Sequence, residues 1–253
     1  MLRAVVFDLG GTLLHYHDPE SSEPARPFFR ITRMGVMEMI KQVRALGYGN
    51  PDPAAMDEAV DRQIRESYTQ TMTQMLGGSV EGPLRAALVD NGIVLNDEQW
   101  QAIRPSFYSA IDPIVTPRTG ARETLSALKA AGYQLALISN TYWAADLHDR
   151  HLAEYGLIDF FDVRVYSANT THIKPHPSIF LDTLTALGVE PYEAAYVGDR
   201  PDIDVKGAQQ VGMHGILIRS PYDQTLLGEI VPDAIIDELP ELIPALERLE
   251  LPA

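Results

Sequence analysis

The strongest constraint on this chain is a series of short, almost unbroken apolar runs, each followed by a helical pattern. "AVVFD" (4–8) comes first. Later come "YQLALIS" (133–139), "VRVYS" (163–167), "AAYVGD" (194–199) and "HGILIR" (214–219), with "DAIID" (233–237) as a last edge strand. Runs so short and so uniformly apolar read as strands covered on both faces. The helical patterns between and after them fall at 118–131, 142–155, 177–187, 202–211 and 238–249. Strands alternating with helices of this length imply a parallel sheet joined by right-handed crossovers.

The stretch from about 15 to 113 has a different texture. It offers no convincing strand and four helical patterns, the last opened by Asn96 and Gln99 in capping-box spacing. "HDPESSEPARP" leads into it and "DPIVTPRTG" leads out. The predicted organisation is an α/β unit, 1–14 with 114–253, that resembles a Rossmann-like doubly wound sheet and carries an inserted α-helical cap at 15–113. The other reading, one continuous core, stays open.

Composition limits the partners. The 253 residues carry 20 basic and 35 acidic side chains, a formal net charge of −15. Such a surface repels nucleic acid and anionic membranes, and no run reaches membrane-spanning length. An anionic substrate then needs a local cation or metal. With no cysteine, thiol catalysis and disulfides are excluded, which fits a cytoplasmic protein. The first apolar stretch is short, broken by Asp8 and without a cleavage pattern, so it does not read as a signal peptide. Oligomeric state is not legible.

In an open parallel sheet, ligands bind beyond the carboxyl ends of the strands. At those ends stand Asp8, Gly10, Gly11 and Thr12, then Ser139, Asn140 and Thr141, then Asp199, Asp202 and Asp204, with Lys174 in "IKPHPSIF". Carboxylates at Asp8, Asp199 and Asp204 suit Mg²⁺ with phosphate oxygens in its shell. Hydroxyl and amide groups suit phosphate, and a lysine neutralises developing charge. Singly each residue has a plainer reading: Asp8 as a turn acid, Ser139 and Asn140 as helix caps, Lys174 as a surface lysine. Asp202 reads best as an N-cap.

Taken in order, "FDLGGTLL", "ISN", "IKPHPSIF" and "VGDRPDIDVKGA" resemble the four motifs of the haloacid dehalogenase-like hydrolase superfamily, in its branch with a helical cap after the first motif. The resemblance implies a Rossmann-like core with a mobile cap. It implies Asp8 as the nucleophile, Thr12 as support for the first loop, and Ser139 and Asn140 as binders of the transferring group. Lys174 would steady Asp8 and the phosphoryl oxygens. Mg²⁺ would be held by Asp8, the Gly10 carbonyl, Asp199 and Asp204, and the substrate would be a small phosphorylated molecule.

Position 10 departs from the pattern. Phosphatases of this family usually carry a second aspartate there, which protonates the leaving oxygen and later activates water. A positioned acid–base group contributes about 10²–10⁴ in rate, and Gly10 cannot supply it. His15 and His17, just beyond, read as hinge histidines, with proton transfer as their other reading. Two alternatives also follow from the missing acid: a phospholigand-binding protein with little turnover, and dehalogenase or phosphonatase chemistry. The retained Asp199 and Asp204 argue against dehalogenation. Phosphonatases need a cap lysine, and the insert has one, Lys41. Cap aromatics Phe28, Phe29, Tyr68, Trp100, Phe107 and Tyr108 read mostly as packing.

Overall fold

In the computed structural model, residues 1–16, 27–220 and 228–249 are described. The apolar runs form one parallel sheet. Its strands are β1 (Ala4–Phe7), β4 (Gln134–Ser139), β5 (Val163–Tyr166), β6 (Ala194–Gly198), β7 (His214–Ile218) and β8 (Ala234–Ile236), in the spatial order β5-β4-β1-β6-β7-β8. β1 lies at the centre because its four residues are all buried and it pairs on both sides, with β4 and with β6. The chain leaves β1 in one direction for β4 and β5, then returns to the other side for β6. That reversal opens a crevice at the carboxyl ends of β1, β4 and β6.

Period-two alternation sorts the strand side chains between two layers. Val5, Phe7, Leu135, Leu137, Ala195 and Val197 face one core. Ala4, Val6, Ala136, Ile138, Ala194 and Tyr196 face the other, where Ile179, Phe180 and Leu184 of α7 (Pro177–Leu187) cover them. The remaining helices of this unit are α5 (Ala121–Ala130), α6 (Ala145–Glu154), α8 (Lys206–Gln210) and α9 (Leu242–Leu249). No helix among the described residues is long and apolar enough to cross a membrane.

The stretch after β1 folds into α1 (Pro27–Ala45), α2 (Pro53–Gln74), α3 (Glu81–Asp90) and α4 (Asp97–Tyr108). Asn96 and Gln99 form the expected capping box, at 2.9 and 3.0 Å. Trp100, Phe107 and Tyr108 are buried packing residues, whereas Tyr68 is exposed; the side chains of Phe28 and Phe29 lie outside the description. One apolar cluster runs from the sheet face through Leu13, Ile114 and Trp143 into these helices, so the core is continuous across insert and sheet.

Two features differ from the sequence expectation. The insert does contain strand: β2 (Leu14–Tyr16) pairs antiparallel with β3 (Val115–Pro117) as a small ribbon joining insert and sheet. Three residues are too few for periodicity to register. The helix expected at 202–211 is instead a π-turn, Pro201–Val205, followed by α8. In this turn Val205 N–H reaches back to Arg200 O at 3.4 Å, and the Asp204 carboxylate accepts the backbone N–H of Arg200 at 3.0 Å.

The insert also docks on the sheet away from that ribbon. Gly77 donates its N–H to Thr171 O at 2.9 Å, Ile173 N to Met75 O at 3.0 Å, and Val80 N to Tyr142 O at 2.8 Å. A Cβ at Gly77 would stand 2.0 Å from Thr170 O and 2.3 Å from Ser167 O. Gly77→Ala should therefore part this seam, lowering stability by about 1–3 kcal/mol, the usual cost of overfilling a packed site. Denaturant melts with limited proteolysis between α2 and α3 check it, and an unchanged midpoint would contradict the close docking.

Candidate active site

Strand register assembles the site. Phe7 is level with Leu137 and Val197, so Asp8, Ser139 and Asp199 follow within two residues at one end of the sheet. All three are buried, as are Thr12, Lys174 and Asp204. Carboxylate oxygens of Asp8, Asp199 and Asp204 lie within 4.8 Å of one another. The three acids singled out in the sequence therefore converge, although residues 8 and 199 are far apart along the chain.

Lys174 is the hub, with its side chain 1% exposed. Its ammonium donates to Asp8 Oδ1 at 2.7 Å, Asp204 Oδ1 at 2.7 Å and the Tyr196 hydroxyl at 2.6 Å, which uses all three of its protons. Tyr196 passes its own proton to Ile138 O at 3.1 Å. Burial pushes Lys174 down, but Asp204 and Asp8 outweigh it and hold the ammonium above the ordinary lysine range. The loop carrying Lys174 is fixed by Asn140: its amide donates to Lys174 O at 2.9 Å, and its carbonyl accepts from Lys174 N at 2.8 Å. The Asn140 side chain thus orients the lysine loop, while Ser139 ends β4 directly beside it.

Asp8 keeps one oxygen lightly engaged. Lys174 fixes Oδ1, and Oδ2 accepts from Thr12 Oγ1 at a long 3.4 Å. Burial raises the Asp8 carboxyl to about 6, against the lowering effect of Lys174. Burial, with repulsion from Asp8 and Asp204, raises Asp199 to about 8.

The glycines around these acids serve space. Gly11, at φ 88°, has a position where a Cβ would lie 2.4 Å from Asp199 Oδ2, and a Cβ on Gly198 would lie 2.4 Å from Asp204 Cγ. Gly10 is different: a Cβ there meets only the Tyr16 ring, at 3.6 Å, an ordinary contact. Arg118 clamps the first loop by donating to Gly11 O at 2.7 Å, and also to Arg219 O and Asp237 O.

Some sequence readings change. Asp202 does not cap α8; it forms a bidentate pair with Arg200, at 3.0 and 2.9 Å, because the intervening π-turn starts at Pro201. Lys41 is an exposed residue of α1 paired with Glu38 at 2.6 Å. His15 lies in β2 opposite Thr116, and His17 lies outside the described residues. Tyr196, Tyr16, His148 and Arg118 were missed. Tyr196 carried a signal, since a tyrosine in a fully buried strand must find a hydroxyl partner.

The raised carboxyls give a testable sign. A group whose pKa rises on folding binds its proton more tightly when folded, so its contribution is present at low pH and lost as pH passes the folded value. For Asp199 that loss runs from the ordinary carboxyl value near 4 up to about 8, above which it is complete. His148, held down at about 3 by burial, works in the opposite sense and only below the ordinary imidazole range. Ion-free protein should lose stability as pH rises toward about 8 and level off above it, the stretch from about 6.5 to 8 belonging to Asp199. Asp199→Asn should flatten that slope in thermal melts, and a persistent slope would assign it elsewhere.

The haloacid dehalogenase-like hydrolase family profile matches residues 2–212. A curated glyceraldehyde 3-phosphate phosphatase from Methanopyrus kandleri is 28% identical, over 98% of this chain and 99% of its own length. Among solved structures, a 2-haloacid dehalogenase from Pseudomonas syringae pv. Tomato DC3000 superposes with a TM-score of 0.68 at 24% identity, covering 98% of this chain and 100% of the other. An HAD phosphatase from Thermococcus onnurineus gives a TM-score of 0.59 at 27% identity, covering 97% and 98%.

Proposed function

Because the chain belongs to the haloacid dehalogenase-like hydrolase family, we propose that it is a Mg²⁺-dependent phosphohydrolase for a small phosphorylated molecule, acting through an aspartyl-phosphate on Asp8. The observation that carries this reading is the buried array around Lys174, which fixes one Asp8 oxygen at 2.7 Å and leaves the other with a long contact to Thr12, at 3.4 Å. The phosphatase named among the full-length relatives supports the same substrate class.

The donor set suits a hard divalent cation. Three buried carboxylates stand against one ammonium, an excess of negative charge that an ion of +2 offsets. Asp8, Asp199 and Asp204, with the Gly10 carbonyl, would hold Mg²⁺. When bound, the ion supplies charge neutralisation for phosphoryl oxygens.

The chain's own residues do the rest. Asp8 Oδ2 attacks phosphorus while Lys174 holds the other oxygen. The bond to the leaving oxygen breaks, and its electron pair departs with that oxygen. Ser139, at the end of β4, and Lys174 face the transferring group, and Asn140 keeps the lysine loop in place. In the second half, water attacks phosphorus and Asp8 is released as carboxylate. With Gly10 in place of an acid, poor leaving groups are penalised most. That same glycine is the observation favouring a second reading, a phospholigand-binding protein with little turnover.

A phosphate-ester panel with and without Mg²⁺ separates the two. The expected result is chelator-sensitive turnover of aryl and acyl phosphates, slower turnover of alkyl phosphates, and none in Asp8→Asn. Mg²⁺-dependent binding of phosphate analogues without turnover would select the binding reading. Chelator-resistant halide release would select dehalogenation.

Gly10→Asp should raise alkyl-phosphate turnover by about tenfold or more, since its Cβ meets only the Tyr16 ring at 3.6 Å. No gain, with melting temperature and Mg²⁺ binding intact, would show that an acid at this position is misdirected.

A further inference from the structure

The face left bare by Gly10 is covered by Tyr16. A Cβ at position 10 would lie 3.6 Å from Tyr16 Cδ2 and 3.7 Å from Cε2, so the ring lies in van der Waals contact beside the place where the side chain of a second acid would begin. The hydroxyl of Tyr16 is 2.8 Å from Nδ1 of His148 on α6. The other ring nitrogen, Nε2, is 2.7 Å from Thr141 Oγ1, in the loop that follows Ser139 and Asn140. The chain Tyr16–His148–Thr141 thus bridges the two loops that flank Asp8.

Hydrogen-bond bookkeeping allows this chain two directions. His148 is buried among Tyr16, Trp143 and Tyr166 and is neutral, so one ring nitrogen donates and the other accepts. Thr141 Oγ1 accepts the N–H of Trp143 at 3.0 Å. Its own proton has two destinations: the Trp143 carbonyl at 3.5 Å, the outer limit, or His148 Nε2 at 2.7 Å. When it goes to His148, Nε2 accepts, Nδ1–H donates to the Tyr16 oxygen, and the proton of Tyr16 is left over; when it goes to the Trp143 carbonyl, Nε2–H donates to Thr141 and Tyr16 donates to Nδ1. Among the described residues, that hydroxyl has no hydrogen bond except the one to His148.

We propose that His148 takes the tautomer in which Nδ1–H donates to Tyr16, and that the Tyr16 hydroxyl so freed donates a hydrogen bond to the leaving oxygen of the phosphate ester on the side where Gly10 provides no acid. This rests on the phosphohydrolase reading above. Tyr16 keeps its proton throughout, because burial and the nearby Asp8 carboxylate hold the phenol well above its ordinary range. As the bond from Asp8 to phosphorus forms and the ester bond breaks, the electron pair leaves on the ester oxygen. Tyr16 stabilises that charge, and water supplies the proton that completes the alcohol. Tyr16 therefore offsets part of the missing acid without replacing it, and the natural substrates are esters whose leaving oxygen needs that help.

The test compares kcat and KM for one alkyl and one aryl phosphate in wild type, Tyr16→Phe, His148→Phe and His148→Gln. Tyr16→Phe should lower kcat for the alkyl ester about tenfold, the worth of one hydrogen bond to a charged oxygen, and for the aryl ester by less than about twofold. KM should not change. His148→Phe should reproduce this pattern, and His148→Gln, which retains an N–H donor, should recover part of the loss. Equal losses on both esters, or a lowered melting temperature with an unchanged ester ratio, would show a structural role and overturn the inference while leaving the phosphohydrolase reading intact. Absence of any Mg²⁺- and Asp8-dependent turnover in wild type would overturn both.

Discussion

The Lys174 ammonium organises everything around it. An ammonium this deeply buried is tolerable only when fully paired, and each partner comes from a different segment: Asp8 from the end of β1, Asp204 from the turn after β6, Tyr196 from within β6. Asn140, after β4, then holds the lysine backbone. The ion cluster that holds Asp8, the proposed nucleophile, is therefore also what ties the ends of the central strands together. Removing one member of such a buried cluster typically costs about 3–5 kcal/mol, because it strands a charge. Burial, with repulsion from Asp8 and Asp204, is what raises Asp199, and the excess of acids over the ammonium is charge that a cation would offset.

A second dependence runs through α6, which starts just past the loop after β4. Asp146 pairs with Arg104 of α4, His148 with Tyr16 of β2, Arg150 and His151 with Asp112, and the Tyr155 hydroxyl at the end of the helix with Val115 O in β3. One helix thus grips both strands of the connecting ribbon and the insert itself. The attitude of the insert and the shape of the site loop are fixed by the same few side chains. The continuous apolar cluster through Leu13, Ile114 and Trp143 reinforces that link.

Much of this was legible in the sequence because the sheet is repetitive. The apolar runs fell on the six parallel strands, and α7 fell on 177–187 as read. The acids at strand ends stood out because a carboxylate beside a buried strand needs a reason. What was lost involved short or reciprocal features. The β2–β3 ribbon is three residues deep, below any pattern length. Asp202 looked like a cap, but a π-turn moves the helix start to Lys206. The bonds of the Asn140 side-chain amide to the backbone of Lys174 were not legible in the sequence.

The sequence by itself determined the strand–helix alternation, the chemical type of each strand end and the absence of an acid at position 10. Those are local properties, set by side-chain identity and period. Only the tertiary structure decided that Lys174 reaches Asp8 and Asp204 together, that Tyr196 supplies its third acceptor, and that Tyr16, bonded to His148, stands beside Gly10. These depend on register between distant strands and on the direction of hydrogen bonds. No linear pattern encodes them, because each is a distance between residues that meet only when both layers of the sheet are packed.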